Sequence, residues 1–286
     1  MMFRSLSPGA IGIRASLTEA LELAKAADYQ GVDVSIGEVA KLVEEKSADH
    51  VKGLFSDAGL KMGAWGLPVN WRGEEGEFKE SLGKLHSLAK VGQSLGCTRL
   101  STWIPPCSDD KPFEENFNFH VERFRPIGEV LGEYGCQLGL EFIGPKTSRV
   151  GKKYEFIYTM EGMLELCDKI GTGNIGLLLD AWHWYTAHGT LDDLKKLTPD
   201  QVVHVHINDA PKGIPVDEQI DNIRRLPGET GVIDLVGFLK CLDEVGYEGP
   251  VTPEPFSDKV KGVPPLEAAQ MTAKGFLEVW KAAGIS

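Results

Sequence analysis

Three carboxylates and one imidazole stand at the ends of four successive strand-like runs of this chain. Glu141 lies in Cys136–Gly144 (CQLGLEFIG), Asp180 in Ile175–His183 (IGLLLDAWH), His206 in Val202–Asp209 (VVHVHIND) and Glu254 in Gly249–Phe256 (GPVTPEPF). Each follows apolar or alternating residues, which places it at the carboxyl end of a buried strand. In a closed parallel barrel all such ends open onto one face, where active sites form. Three carboxylates and an imidazole meeting there would repel unless a divalent cation joined them. The expectation is one divalent metal ion held by Glu141, Asp180, His206 and Glu254. Oxygen donors dominate this set, so manganese fits best, with magnesium, cobalt or zinc as alternatives.

Other groups flank these four. His183 follows Asp180 by three residues and is expected just outside the metal's ligands, touching substrate or orienting a ligand. His204 shares the strand face of His206, one step deeper, and is expected to be hydrogen-bonded there rather than ligating. Trp65 and Trp103 fall near the ends of the third and fourth strands, where an indole can cover the apolar face of a sugar or simply pack under a loop. Lys212 and Arg225, after the seventh strand, are candidates for holding substrate oxygens. The run Lys146–Lys153 (KTSRVGKK) carries four cations; it reads as a solvated loop, with an anion site as the competing reading.

The elements that must position these residues alternate from end to end. Strands are expected at Ala10–Ile13, Val32–Ile36, Lys61–Val69 and Thr98–Ile104, followed by the four site-bearing runs. A capping box at Ser16–Glu19 opens the first helix, with Leu17, Ala20, Leu21, Ala24 and Ala27 on one stripe. A second helix is expected to run to Gly59, and a third, through Phe78, Leu85 and Leu95, to Gly96. Five more are expected at Glu114–Tyr134, Thr159–Ile170, Leu191–Leu197, Val232–Val245 and Pro265–Ala283. Eight strands alternating with eight helices point to an α/β fold, a (β/α)8 TIM barrel, as a single domain over residues 1–286. A dinucleotide-binding reading lacks its glycine fingerprint, since Ile11-Gly-Ile-Arg-Ala-Ser16 stands where that motif belongs.

Composition narrows the partners. The chain has 286 residues and a formal net charge of −12, which disfavours nucleic acid and anionic membranes as partners. Five scattered cysteines without CxxC spacing read as reduced thiols. The start, MMFRSLSPGAIGIRAS, lacks the continuous apolar stretch of a secretory signal, and no window is apolar enough for a membrane span. A soluble, cytoplasmic protein with a small-molecule substrate is expected; a homo-oligomer is compatible with all of this.

The order Glu141, Asp180-x-x-His183, His204-x-His206-x-x-Asp209, then Glu254 resembles the xylose isomerase-like barrels, whose members include ketose 3-epimerases, inosose dehydratases and endonuclease IV. Leu226-Pro-Gly-Glu-Thr-Gly-Val-Ile-Asp234 and Gly246-Tyr-Glu-Gly-Pro250 are similar to the same family's C-terminal pattern. The resemblance implies a metal on Glu141, Asp180, His206 and Glu254, with His183 and Lys212 on substrate oxygens. Lys212 stands where ketose epimerases usually have arginine, and Pro253 and Pro255 flanking Glu254 are a second departure.

That resemblance implies a mechanism. A divalent ion chelating a carbonyl and its neighbouring hydroxyl acidifies the intervening C–H and stabilises the enediolate. Glu141 and Glu254 then serve as the acid/base pair, which gives a keto-sugar, sugar phosphate or polyol isomerase or epimerase. Expulsion of a β-oxygen from the same intermediate gives a lyase or dehydratase instead. A sugar-binding barrel without catalysis is the remaining reading.

Overall fold

The first strand is Phe3–Leu6 (β1), not Ala10–Ile13, in the computed structural model, which describes residues 1–285. Of the single domain expected over 1–286, Ser286 alone lies outside the described residues. Arg4 and Ser5 disguise this strand as polar. Arg4 is nevertheless buried, its Nη2 donating to Asp28 O at 2.8 Å. Residues Gly9–Ile11 instead form a 3₁₀ turn after Pro8, closed by Gly12.

The other strands are Gly31–Val32 (β2), Lys61–Met62 (β3), Trp65–Gly66 (β4), Arg99–Ile104 (β5), Cys107–Ser108 (β6), Gln137–Phe142 (β7), Tyr154–Glu155 (β8), Ile175–Asp180 (β9), Val202–Ile207 (β10) and Pro250–Pro253 (β11). The main sheet runs β3-β2-β1-β11-β10-β9-β7-β5-β4, and its pairings are parallel. Its two edge strands are separated in the chain only by Gly63 and Ala64, so the sheet closes into a barrel. The third barrel position, expected as one strand over Lys61–Val69, is thus split. The split follows from Asp33, whose Oδ1 accepts from Ala64 N at 2.9 Å and from Ser5 Oγ at 2.7 Å. A Cβ on residue 63 would fall on that carboxylate, so only glycine fits. A small antiparallel pair, β6 against β8, ties two loops together across β7 and the helix before it.

The α-helices are Leu17–Ala26 (α1), Ile36–Glu45 (α2), Ala48–Ala58 (α3), Glu75–Leu95 (α4), Phe113–Glu133 (α5), Met160–Ile170 (α6), Ala181–Thr186 (α7), Leu191–Leu194 (α8), Leu235–Glu244 (α9) and Pro265–Ala282 (α10). The capping box forms as expected: Glu19 Oε2 accepts from Ser16 N at 2.8 Å, and Ser16 Oγ accepts from Glu19 N at 3.4 Å. The helix expected to run to Gly59 is two helices. Ser47 breaks it by accepting from His50 N at 3.1 Å and starting α3 afresh. The second strand stops at Val32, and Ile36 belongs to α2 rather than to it. Among the described residues, no helix is long and apolar enough to cross a membrane.

Candidate active site

Parallel register brings the four chemistry-bearing residues to one end of the barrel. His206 on β10 pairs with Asp180, the last residue of β9, and Glu254 follows β11 directly. Glu141, near the end of β7, completes the ring. Each of the four offers one ligand atom, and these atoms lie within 4.8 Å of one another. His206 Nδ1 stands between the two glutamates, 3.7 Å from Glu141 Oε1 and 3.5 Å from Glu254 Oε2. Neither separation makes a good hydrogen bond, and both Glu141 Oε1 and His206 Nδ1 are buried without a partner. Leaving a buried polar atom unpaired costs about 1–3 kcal/mol. Three carboxylates and an imidazole with orphaned atoms turned on each other fit a divalent cation. Pro253 and Pro255 each fix their own φ and stiffen the backbone on either side of Glu254, whose Oε2 is held by Arg224 Nη1.

Charge is distributed unevenly over the four. Burial, then the nearby Glu254 charge, pushes Glu141 well above the usual carboxylate range. Burial also opposes ionisation of Asp180, yet Arg224, then His183 and His206, hold it down to about 2. Glu254 is held low against burial by His206 and Arg224. His206 is raised to about 9, because Glu254 and Glu141 outweigh its own burial.

The family model for the xylose isomerase-like TIM barrel matches residues 21–278. The chain belongs to that family. It is 25% identical over 268 residues to an inosose isomerase of Halalkalibacterium halodurans, covering 92% of this chain and 91% of that one. It is 27% identical to a 3-dehydroshikimate dehydratase of Pseudomonas aeruginosa over 89% of this chain but only 38% of that longer protein. A solved xylose isomerase domain protein from Alicyclobacillus acidocaldarius superposes with a TM-score of 0.88 at 30% identity, covering 99% of this chain and 100% of the other. These relatives in the xylose isomerase-like family thus include both an isomerase and a dehydratase.

One residue that the sequence reading passed over dominates this xylose isomerase-like site. Arg224 is 1% exposed, and its Nη1 donates to Asp180 Oδ2 at 2.7 Å and to Glu254 Oε2 at 3.0 Å. Its Nη2 donates to Asp221 Oδ1 at 2.9 Å, and Phe256 and Trp182 lie against the guanidinium at 4.7 and 5.5 Å. Arg225, the residue picked out from sequence, pairs its backbone with Asp209 and turns its side chain towards Arg224 O and Glu229. Lys212 is exposed in the loop between β10 and Arg224. Adjacent residues of an extended segment face opposite ways, and the Asp209 bridge decides which arginine turns inward. The Arg-Arg pair before Leu226-Pro-Gly was the available signal.

The remaining candidates are spread around the mouth. His183, on α7, is 1% exposed; its Nδ1 accepts from Gly144 N at 3.1 Å and its Nε2 lies 3.1 Å from Arg224 Nη2. It therefore sits behind Asp180 and Arg224 rather than facing open space. Burial depresses its pKa to about 4. Trp65 is buried, donates Nε1–H to Cys97 O at 3.0 Å, and lines a cavity of about 530 Å³ with Asp33, Ser101, His204 and His206. Trp103 is 47% exposed and pairs in register with Glu141 on the neighbouring strand. His204 lies beneath His206, hydrogen-bonded to Thr252 Oγ1 at 3.0 Å and Ser101 Oγ at 3.3 Å. Asn208 donates Nδ2–H to Asp180 Oδ1 at 2.9 Å, and Asp209 organises the following loop by accepting from the backbone amides of Thr230, Gly231 and Ile233. The four cations of the 146–153 loop are engaged locally: Lys146 with Asp217, Lys152 with Asp109, Arg149 with Gly144 O, and Lys153 over the Tyr154 ring.

Proposed function

We propose that this chain is a metal-dependent isomerase or epimerase of a keto-sugar, sugar phosphate or cyclic polyol ketone. The observation that carries the reading is the meeting of Glu141, Asp180, His206 and Glu254, with Glu141 Oε1 and His206 Nδ1 buried and unpartnered among them. These four would hold the divalent ion, manganese by preference. When bound, the ion supplies Lewis acidity towards a substrate carbonyl and its neighbouring oxygen.

The protein's own groups account for the rest. Glu141 and Glu254 reach the cluster from separate strands on either side of His206. One can remove the proton from the carbon next to the carbonyl while the other returns it, a contribution of roughly 10²–10⁴-fold. Arg224 holds Asp180 and Glu254 in place and presents a cation to developing negative charge. His183 packs behind Asp180 and Arg224, and Trp65 lines the cavity. Similarity to a 3-dehydroshikimate dehydratase favours a second reading, in which the same proton abstraction is followed by loss of a β-oxygen.

The test is incubation of the metal-loaded protein with ketoses and inososes in heavy water, followed by NMR at the carbon next to the carbonyl. Deuterium should enter there with wild type and fail to enter with Glu141→Gln or Glu254→Gln. Turnover without any exchange would remove both glutamates from their roles. An ultraviolet-absorbing unsaturated product selects the dehydratase reading over the epimerase.

A further inference from the structure

Arg72 is mounted at the mouth of the barrel with its charge unmatched. It follows Trp71 on the loop after β4, and its guanidinium lies 4.4 Å from the Trp71 ring centre and 3.9 Å from that of Trp103. One N–H, on Nη2, donates to Trp103 O at 2.8 Å. No carboxylate pairs with it among the described residues, although the chain carries 42 Asp and Glu. The side chain is solvent-exposed, and its partial desolvation against the two rings lowers its pKa with no neighbouring acid to offset the effect. Arg123 shows the contrast: it too lies over aromatic rings, Phe78 and Phe119, but its Nη1 is paired with Glu75 at 2.6 Å.

The mounting is rigid. Trp71 is 4% exposed and packs on Phe124 and His120 at 4.9 and 5.2 Å. Asn70, one residue earlier, is tied to α4 through Ser81 Oγ at 3.0 Å and Glu77 Oε2 at 3.0 Å. Stacking engages the flat face of a guanidinium and leaves its edge donors available for a bidentate acceptor. The position also faces the site. Trp103 shares the strand face of Ser101, which lines the cavity, and stands in register with Glu141.

We propose that Arg72, braced across Trp71 and Trp103, binds an anionic group of the substrate, a carboxylate or a phosphate, at the end remote from the reacting carbonyl. The placement of the carbonyl rests on the proton-transfer reading above; the anion site does not. The substrate class is then an acidic keto-sugar or a sugar phosphate rather than a neutral ketose.

Calorimetric binding to the manganese-loaded protein tests this with D-fructose, D-fructuronate and D-fructose 6-phosphate, which share one carbon chain. Wild type should bind one of the two anionic probes about tenfold or more tightly than fructose, and the better one identifies the anion as carboxylate or phosphate. In Arg72→Gln that ratio should fall towards one, while Arg72→Lys should keep part of it. Manganese content, measured in each variant, serves as the control for an intact fold. The same ratio in wild type and Arg72→Gln would overturn the proposal. So would a loss seen with Arg14→Gln, a cation that lines the cavity itself, and not with Arg72→Gln. Because binding is read without turnover, absence of deuterium exchange would remove the reaction while leaving the anion preference to be judged separately.

Discussion

Arg224 Nη1 donates to Asp180 Oδ2 at 2.7 Å, with both side chains 1% exposed or less. Breaking a buried pair by removing one partner costs about 3–5 kcal/mol, because the other charge is left uncompensated. A cation on the four-residue cluster would take over that compensation. Arg224→Met should therefore destabilise the chelator-treated protein by about 3 kcal/mol and the manganese-loaded protein by distinctly less. Thermal unfolding under both conditions reads this. Equal losses would show that Arg224 and the cation do not share the same carboxylates.

Removal of metal gives a second outcome. A ligand that binds only the folded state stabilises it by about 2.7 kcal/mol at a concentration of a hundred times its dissociation constant. Manganese should raise the unfolding temperature of wild type and leave Glu254→Gln and His206→Asn unmoved. Elemental analysis should find those variants metal-poor with the fold kept. Stoichiometric metal in both would end the proposed coordination.

The site-bearing half of the barrel was legible because β7, β9 and β10 are six-residue, largely apolar runs, each with its site residue at or next to the carboxyl end. The first strand was not, nor were the bounds of the second and third. These strands are only two to four residues long, and β1 hides a buried Arg4 whose polar atoms are satisfied across the fold by Asp28. Arg224 was illegible for a related reason: nothing local distinguishes it from Arg225 until Asp209, fifteen or more residues earlier, pairs with the backbone of one of them. Local periodicity reports burial of apolar faces, and it is silent where a long-range polar partner makes burial of a charge tolerable.

His183 supplies a third prediction. Its ring nitrogens meet Gly144 N and Arg224 Nη2, and Nε2 is 4.0 Å from Asp180 Oδ2. With Nδ1 accepting from Gly144 N, the neutral ring carries its hydrogen on Nε2, so it packs against Arg224 Nη2 and Asp180 without a hydrogen bond to either and offers no lone pair to the four-residue cluster. His183→Ala should keep its metal and lose turnover on the order of a hundredfold, the scale of a small misplacement at a reacting centre. A metal-depleted His183→Ala protein would move this histidine among the ligands instead.

The last prediction concerns a histidine remote from the metal cluster. His120 on α5 is 3% exposed, and its ring packs against Trp71, Phe119, Phe124 and Phe156. Nδ1 donates to Asn116 O at 2.7 Å, while Nε2 has no partner. Burial is the main cause that lowers its pKa to about 4, and the facing cations Arg72 and Lys111 add to the effect. The unfolded chain takes up a proton at this ring below about pH 6.5, and the folded protein does not until about pH 4. Stability from this group is thus complete above pH 6.5, declines as pH falls through that window, and is flat below pH 4. The total is about 3 kcal/mol. His120→Phe keeps an aromatic ring in the cluster and removes the titration. Denaturant unfolding from pH 7.5 to 4.0 should show wild type losing about 3 kcal/mol more than His120→Phe across that range. Parallel curves for the two proteins would mean that His120 takes up its proton equally in the folded and unfolded states.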